Sequence, residues 1–364
     1  MATQKNNFKF KNSDYLNLAF EQAKINLGST GENPSVGCII EKNGSVISSG
    51  YTSLLGRPHA EFNALNKNIS FENSNLYVTL EPCSHTGKTP PCVDKIIKKK
   101  IKKIFFSAVD IDKRSKNKSK KILNHHKILV NKNILKKKGL NFYKSYFLSK
   151  SNELPYIDCK IAISKDYFTK SKKEKWITNS FSRKRTHLLR SMYDCLISTS
   201  KSINDDNSLL NCRIEGLEKK SPDILIIDRN LILKKKLDLF KVKSNRKIMI
   251  ATTSSNLSRI SYFQKKGIQI IKLKSLNSKN DFLKLFIKTK KMRYSRFFVE
   301  SGLHFMNFLI NNKLVNNIYI FKSRKYLKKN GINFSSNKII KKIKLSNKIN
   351  VNLQTEDLYK VKLK

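Results

Sequence analysis

His59, Glu61, Cys83 and Cys92 are the residues whose types and spacing carry the most chemistry in this chain. They fall in two segments, "RPHAEFNAL" from Arg57 and "LEPCSHTGKTPPC" from Leu80. The cysteines, with eight residues between them, have three readings: a metal pair, a disulfide, or two core thiols. The six cysteines, Cys38, Cys83, Cys92, Cys159, Cys195 and Cys212, are scattered without a regular framework, which weighs against disulfides. The opening "MATQKNNFKFKN" lacks the apolar region of a secretory signal. A cytoplasmic protein with reduced thiols is therefore expected. Imidazole and two thiolates make three N/S ligands, a set that fits zinc with its fourth position open to water. An open position belongs to a catalytic site, because structural zinc sites are normally closed by four protein ligands. Zinc lowers the pKa of its bound water towards about 7. Glu61, beside the metal without ligating it, would shuttle protons between that water and a leaving amine. His85, inside the cysteine loop, is either a fourth ligand or a loop residue, and the open-site argument favours a substrate-facing role.

The elements that must position these residues are legible from prolines and periodicity. Pro58 suits the first turn of a helix, so His59 and Glu61 are expected in that turn. Residues i and i+2 point to nearly opposite sides of a helix, so the two share a pocket only if the helix aims its N-terminal end at it. Pro90-Pro91 puts Cys92 at the start of the next helix, where backbone N–H groups and the dipole favour a thiolate. "DYLNLAFEQAKINLG" has helical spacing and ends at Gly28. "SVGCIIEKNGSVISSGYT" reads as a hairpin turning at Asn43-Gly44. The strand "NLYVTLE", the helix "VDKIIKKK" and the strand "IKKIFFSAV" follow. This order predicts an α/β sheet covered by helices.

At 364 residues the chain is long enough for two domains, and no apolar run reaches the length of a membrane span. The net charge of +49 comes from lysine spread over the whole chain with abundant Asn, Ile and Ser. That distribution reads as solvated lysine faces rather than a nucleic-acid patch, and it is compatible with an anionic phosphorylated substrate. Five of the seven prolines fall between Pro34 and Pro91. From Pro155 a second alternation begins, with strands expected in "YIDCKIAIS", "DCLISTS", "DILIIDR", "RKIMIAT", "IQIIKL", "RFFVES" and "NNIYIFK". Helices are expected in "SFSRKRTHLLRSM", "KNDFLKLFIKTKK" and "LHFMNFLINNK". Domains of 1–150 and 151–364 follow, the boundary lying between Gly139 and Pro155 in a lysine-rich stretch ending "SKSNELP". No G-x-G-x-x-G follows a strand, so a Rossmann-type site is not supported. Trp176 reads on its own as a core residue, and Arg190 and Arg213 as surface arginines. Glu300 sits where a strand meets a helix, and Gly302 allows a phosphate to approach that helix N-terminus closely.

The H-x-E and P-C elements together match the zinc nucleobase deaminases. Each is weak alone; in the order helix, strand, cysteine loop, helix they are specific. Deaminases of tRNA, DNA or cytidine usually place two residues between the cysteines, and the spacer "SHTGKTPP" differs. "EPCSHTGKTPPC", "NPSVGC" and "GRPHAE" closely resemble the deaminase half of the bifunctional riboflavin-biosynthesis deaminase/reductase family. "KIAISKD", "WITN", "RKRTHLLRSMYDCLI", "SINDDNSLLNCR" and "FVESG" resemble its reductase half. The resemblance covers nearly the whole chain and weakens after about residue 324. It implies a cytidine-deaminase-like three-layer α/β/α domain followed by a dihydrofolate-reductase-like α/β domain. It implies deamination of a diaminopyrimidinone bearing a ribosylamino 5′-phosphate, then NADPH-dependent reduction of the ribosyl group to ribityl. Asn33, His85 and Lys88 would then lie against the pyrimidine ring and its ribosyl phosphate. Arg190, Leu210, Arg213 and Glu300 would hold the substrate of the second domain; Ala162, Trp176, Ser202, Asp206 and the backbone from Gly302 would hold NADPH. Zn2+ and NADPH are the cofactors so implied, and the sequence leaves a homo-oligomer open.

The chain departs from the family pattern in places. The loop after "SAVD", typically D-P-N-P followed by Gly-x-Gly, is "DIDKRSKNKSKK". Tyr167, Ser208 and Arg229 stand where the family has glycine, proline and serine, and Glu174 stands where a substrate-contacting serine is expected. These changes make an active deaminase with a non-reducing second domain the alternative reading.

Overall fold

Gly37 and Gly50 set the spacing of the first layer. The computed structural model describes residues 10–151, 154–241 and 246–363, and the chain divides into two compact units, residues 1–152 and 153–364. The stretch "SKSNELP" includes Asn152 and Glu153, which lie outside the described residues, as do residues 1–9 of the N-terminal segment.

In the first unit, α1 (Asn12–Lys24) precedes the hairpin β1 (Gly37–Lys42) and β2 (Ser45–Tyr51). Then come α2 (Ala60–Leu65), β3 (Asn75–Leu80), α3 (Cys92–Lys98) and β4 (Lys103–Ala108). The unit closes with α4 (Lys118–His125), β5 (Leu129–Lys132), α5 (Lys136–Phe142) and α6 (Lys144–Ser151). The sheet order is β2-β1-β3-β4-β5, antiparallel across β1 and parallel from β3 to β5. The hairpin turns at Asn43 and Gly44, both with positive φ, as a type I′ turn requires. The first helix stops at Lys24, four residues before the expected end at Gly28. There the Asn26 side chain donates to Thr52 O at 3.0 Å and draws the chain into a turn.

A Cβ on Gly37 would sit 1.9 Å from Ala19 O, and one on Gly50 would sit 2.4 Å from Ala60 O and 2.5 Å from Ala64 N. The backbones of α1 and α2 therefore rest directly on the sheet. Ala60 and Ala64 are fully buried in that contact, so residue size on both sides fixes where α2 begins.

The loop after β4 explains how the chain manages without the family's glycines. Glu81, 3% exposed, accepts from the N–H groups of Asp110 (3.2 Å), Asn117 (3.1 Å) and Ser119 (3.3 Å), and from Ser119 Oγ (2.7 Å). Asn117 takes the left-handed position with φ +58, a conformation asparagine tolerates. One buried carboxylate thus gathers the turn.

The second unit contains β6 (Tyr156–Ile163), β7 (Lys170–Ser171), α7 (Ser180–Arg190), β8 (Cys195–Thr199), α8 (Ser200–Asp206), β9 (Asp223–Ile227), β10 (Ile248–Thr252) and α9 (Leu257–Lys265). It continues with β11 (Gln269–Lys272), α10 (Lys279–Lys291), β12 (Arg296–Val299), α11 (Leu303–Asn311), β13 (Asn317–Lys322), β14 (Gly331–Ile332), α12 (Lys338–Lys342) and β15 (Asp357–Lys362). The main sheet runs β11-β10-β9-β8-β12-β6-β13-β15. All its pairings are parallel except that of β15, which joins β13 antiparallel. The parallel strands read as apolar runs because both faces are covered. The core follows from that cover: Ile157, Cys159, Ile197, Phe297 and Val299 pack with Leu285 and Phe286 of α10 and Met306 and Leu309 of α11.

Gly50→Ala is predicted to cost about 2 kcal/mol or more through overpacking and to loosen the seat of α2. Calorimetric unfolding should show a lowered Tm together with weaker zinc retention. An unchanged Tm would contradict the close approach.

Candidate functional site

Two helix starts and one strand end meet in the first unit. His59 occupies the N-cap of α2, one residue before the helix proper, with extended φ/ψ. From that position it and Glu61, two residues into the cap, both face the helix end. This resolves the i, i+2 difficulty and places His59 slightly earlier than a first-turn residue. Cys83 follows β3, and Cys92 is the first residue of α3. His59 Nδ1 lies 3.4 Å from Cys92 Sγ and 3.6 Å from Cys83 Sγ, and the three ligand atoms lie within 4.8 Å of one another. The edge of a zinc tetrahedron built with Zn–N of 2.0–2.1 Å and Zn–S of about 2.3 Å is roughly 3.6 Å. Donor set and spacing both fit zinc. All six cysteines are free, so the disulfide reading of Cys83 and Cys92 falls away.

The Cys92 thiol, the His59 ring and the Cys92 N–H, the last at 3.3 Å, converge on the Cys83 sulfur. They hold its pKa down to about 4 against the opposing effect of burial. Cys92, beside that thiolate and buried, moves upward. Glu61 is 4% exposed; burial first, and the Cys83 charge second, push it up to about 7.

The surrounding residues hold the loops. Asn33 Nδ2 donates to Gly56 O at 3.0 Å, and Arg57 Nη1 donates to Thr89 Oγ1 at 2.7 Å, bridging the segment before α2 to the cysteine loop. His85 Nδ1 lies 2.8 Å from Ser115 Oγ, while Lys88 is exposed. His85 is absent from the ligand cluster.

In the second unit a buried ion pair stands at the carboxyl ends of the strands. Arg190 Nε and Nη2 donate to the two Glu300 oxygens at 2.5 and 3.0 Å, each side chain 11% exposed. Arg190 Nη1 also donates to Asn211 O at 2.8 Å. Lys160, on β6, feels both charges, and burial lowers its pKa while Glu300 opposes the shift. Arg213 is exposed and donates to Asn211 Oδ1 at 2.9 Å; Leu210 is buried, with its O accepting from Arg246 at 2.9 Å. Ser202 Oγ accepts from Gly302 N–H at 3.0 Å, joining the start of α8 to the N-cap of α11. Asp206 lies 3.7 Å from Lys170. Ala162 is two residues from Lys160 on β6, hence on the same face.

A family model for the cytidine and deoxycytidylate deaminase zinc-binding region matches residues 10–108, and the RibD C-terminal domain matches 155–330. The riboflavin biosynthesis protein RibD of Actinobacillus pleuropneumoniae is 30% identical over 320 residues, covering 87% of this chain and 85% of that protein. That of Aquifex aeolicus is 30% identical over 317 residues, covering 86% and 87%.

The chain belongs to the RibD family.

It is a bifunctional deaminase and reductase of riboflavin biosynthesis, using zinc in one domain and NADPH in the other. The RibD of Acinetobacter baumannii shares the fold, with a TM-score of 0.79 at 23% identity over 96% of this chain and 98% of that one. The same score and coverage relate it to a Thermotoga maritima structure described as a diaminohydroxyphosphoribosylaminopyrimidine deaminase/5-amino-6-(5-phosphoribosylamino)uracil reductase. The cytidine-deaminase-like and dihydrofolate-reductase-like α/β architectures are thereby established.

Three of the four residues that depart from the RibD pattern, Tyr167, Arg229 and Glu174, are accommodated locally. Tyr167 takes the left-handed conformation of the missing glycine, φ +66, and its ring lies 4.8 Å from Lys322 Nζ. Arg229 is exposed and donates to Asn277 Oδ1. Glu174 pairs with Lys325. Trp176 is 52% exposed with Arg183 5.2 Å from its ring, which excludes a core role.

Sequence reasoning missed Arg57, Glu81, Ser115, Lys160 and His187. Two had a signal: Glu81 directly precedes the cysteine loop, and Lys160 interrupts an apolar strand.

Cys92→Ser is predicted to drop the zinc content of the purified protein from about one per chain towards none, read by elemental analysis. Retained stoichiometric zinc would contradict the ligand set. The His187 ring, held by burial first and by Arg190 second, has its pKa lowered from 6.5 to about 4. As pH falls from 6.5 towards about 4, the unfolded chain takes up a proton that the folded ring refuses, so stability present above 6.5 is lost across that window. Urea midpoints at about pH 7.5 and about pH 5 should therefore differ less in His187→Asn than in wild type. An equal difference would contradict this.

Proposed function

We propose that the first unit deaminates 2,5-diamino-6-(5-phosphoribosylamino)pyrimidin-4(3H)-one and that the second reduces the deaminated product to 5-amino-6-(5-phosphoribitylamino)uracil. The observation that carries the reading is the triangle of His59, Cys83 and Cys92 with buried Glu61 beside it. Zinc held by these three ligands would supply a water of lowered pKa. Glu61 takes a proton from the attacking water on its carboxylate and returns it to the departing amine, leaving as ammonia. Asn33 and His85 orient the pyrimidine, and exposed Lys88 meets the phosphate.

In the second unit NADPH would supply hydride to C1 of the open-chain ribosyl group. Arg190, with its donors committed to Glu300 and Asn211, positions the Glu300 carboxylate against the sugar. Exposed Arg213, held at one end by Asn211 Oδ1, keeps other guanidinium donors for the phosphate, with Leu210 beside it. Ser202, Asp206, Ala162, Trp176 and the N-terminal turn of α11 at Gly302 form the NADPH side. A small phosphorylated pyrimidine is the partner in both reactions. Among the described residues no helix is long and apolar enough to cross a membrane, and a cytoplasmic location agrees with the reduced cysteines.

Glu61→Gln is predicted to lower the deamination rate by about a thousandfold while zinc stays bound. NADPH oxidation with the pre-deaminated ribosyl compound should be unchanged. Chromatography of the products and absorbance of NADPH separate the two steps. Deamination surviving in Glu61→Gln would overturn the assigned role, and wild-type protein that leaves NADPH untouched would overturn the reductase half.

A further inference from the structure

Ser115 is fully buried in the loop between β4 and α4, the segment in which the chain departs from the family's prolines and glycines. Its hydroxyl touches two successive residues of the cysteine loop. Ser84 N–H donates to Ser115 Oγ at 3.3 Å, and His85 Nδ1 lies 2.8 Å from the same oxygen. An amide N–H only donates, so the first contact uses an oxygen lone pair. The hydroxyl proton, being buried, needs an acceptor, and among the described residues His85 Nδ1 is the acceptor within reach. The ring proton is then on Nε2. The loop that presents Ser115 is itself pinned: Ser115 N–H donates to Asp112 O at 2.9 Å, and Arg114 clamps the Asp112 carboxylate at 3.0 and 2.6 Å.

We propose that Ser115 is a positioning residue for deamination, which fixes His85 as the Nε2–H tautomer. The ring then offers the substrate a hydrogen-bond donor where the other tautomer would offer a lone pair. A donor there favours an acceptor oxygen, whether a phosphate oxygen or the ring carbonyl, and disfavours an N–H or protonated nitrogen. This rests on the reading of His85 as substrate-facing, and it adds a determinant that lies outside the motifs themselves. Ser115 reacts with nothing; its effect passes entirely through His85.

The test uses the full-length zinc-loaded protein with Ser115→Ala, His85→Ala and the double variant. Nitrogen-15 NMR of the imidazoles should give His85 the Nε2–H signature in wild type and lose it in Ser115→Ala, with zinc content unchanged. With the diaminopyrimidinone ribosyl phosphate, Ser115→Ala should raise KM about tenfold, the cost of one ordinary hydrogen bond, and leave kcat within about twofold. In the His85→Ala background the serine change should add nothing, as expected when one residue acts through another. A wild-type Nδ1–H signature, or full additivity in the double variant, would overturn the proposal. An unchanged KM in His85→Ala would remove the substrate-facing reading of His85 and overturn the positioning role of Ser115 with it, even where the NMR signature places the proton on Nε2. Comparing a substrate lacking the phosphate tells the two oxygen sources apart: a Ser115→Ala effect that persists points to the ring carbonyl, and one that vanishes points to the phosphate.

Discussion

The first unit depends on a backbone-to-backbone contact that tolerates no side chain. α2 rests on Gly50 with Ala60 and Ala64 at the interface, and this height brings the N-terminal end of α2 level with the end of β3. His59 and Glu61 therefore project from a helix end rather than from a helix side. α3 contributes its own N-terminus through Cys92, and the β3 exit contributes Cys83. The thiolate expected at the start of α3 does not hold for Cys92, which its neighbour Cys83 and burial raise, and burial also raises Glu61. The thiolate is Cys83, on which the Cys92 thiol, the His59 ring and the Cys92 N–H converge. Three N/S donors with a buried acid beside them are the result.

The second unit builds its site by a different rule. In an open parallel sheet the strand carboxyl ends form the usual binding edge, and here Glu300 directly follows β12 while Ser202 lies in α8, directly after β8. Glu300 is paired with Arg190, and breaking such a buried pair would strand a charge away from water. Lys160 and His187 lie in the same field, each with its charged form disfavoured by burial. The arrangement fixes one carboxylate, while exposed Arg213, which donates to Asn211 Oδ1, has no acidic partner among the described residues.

Much of this was legible in residue order. The Asn43-Gly44 turn, the strands through Lys322 other than β5 and β7, the start of α3 at Cys92 and the end of α7 at Arg190 follow from turn chemistry, apolar runs and prolines. The grouping of His59, Cys83 and Cys92 was readable because metal chemistry restricts residue types. What was not legible depends on contacts distant in sequence. Glu81 gathers a turn some thirty residues later, and β15, lysine-rich and past the recognisable motifs, is a strand because β13 offers it an edge. Tyr167 holds a left-handed position where the family has glycine, and Asn117 holds another in the loop that lacks the family's glycines; neither residue type announces that on its own. The high positive charge, by contrast, reads alike at both levels: lysines sit on solvated faces, some with their ammonium over a ring, as Lys95 over Phe62 at 3.3 Å.

An open three-ligand zinc site is the centre of the account, and X-ray absorption of the zinc-loaded protein tests it most directly. The account predicts two sulfurs at about 2.3 Å with one nitrogen and one water oxygen near 2.0 Å. A second imidazole nitrogen in place of the oxygen would make His85 a fourth ligand, close the site and contradict the catalytic reading.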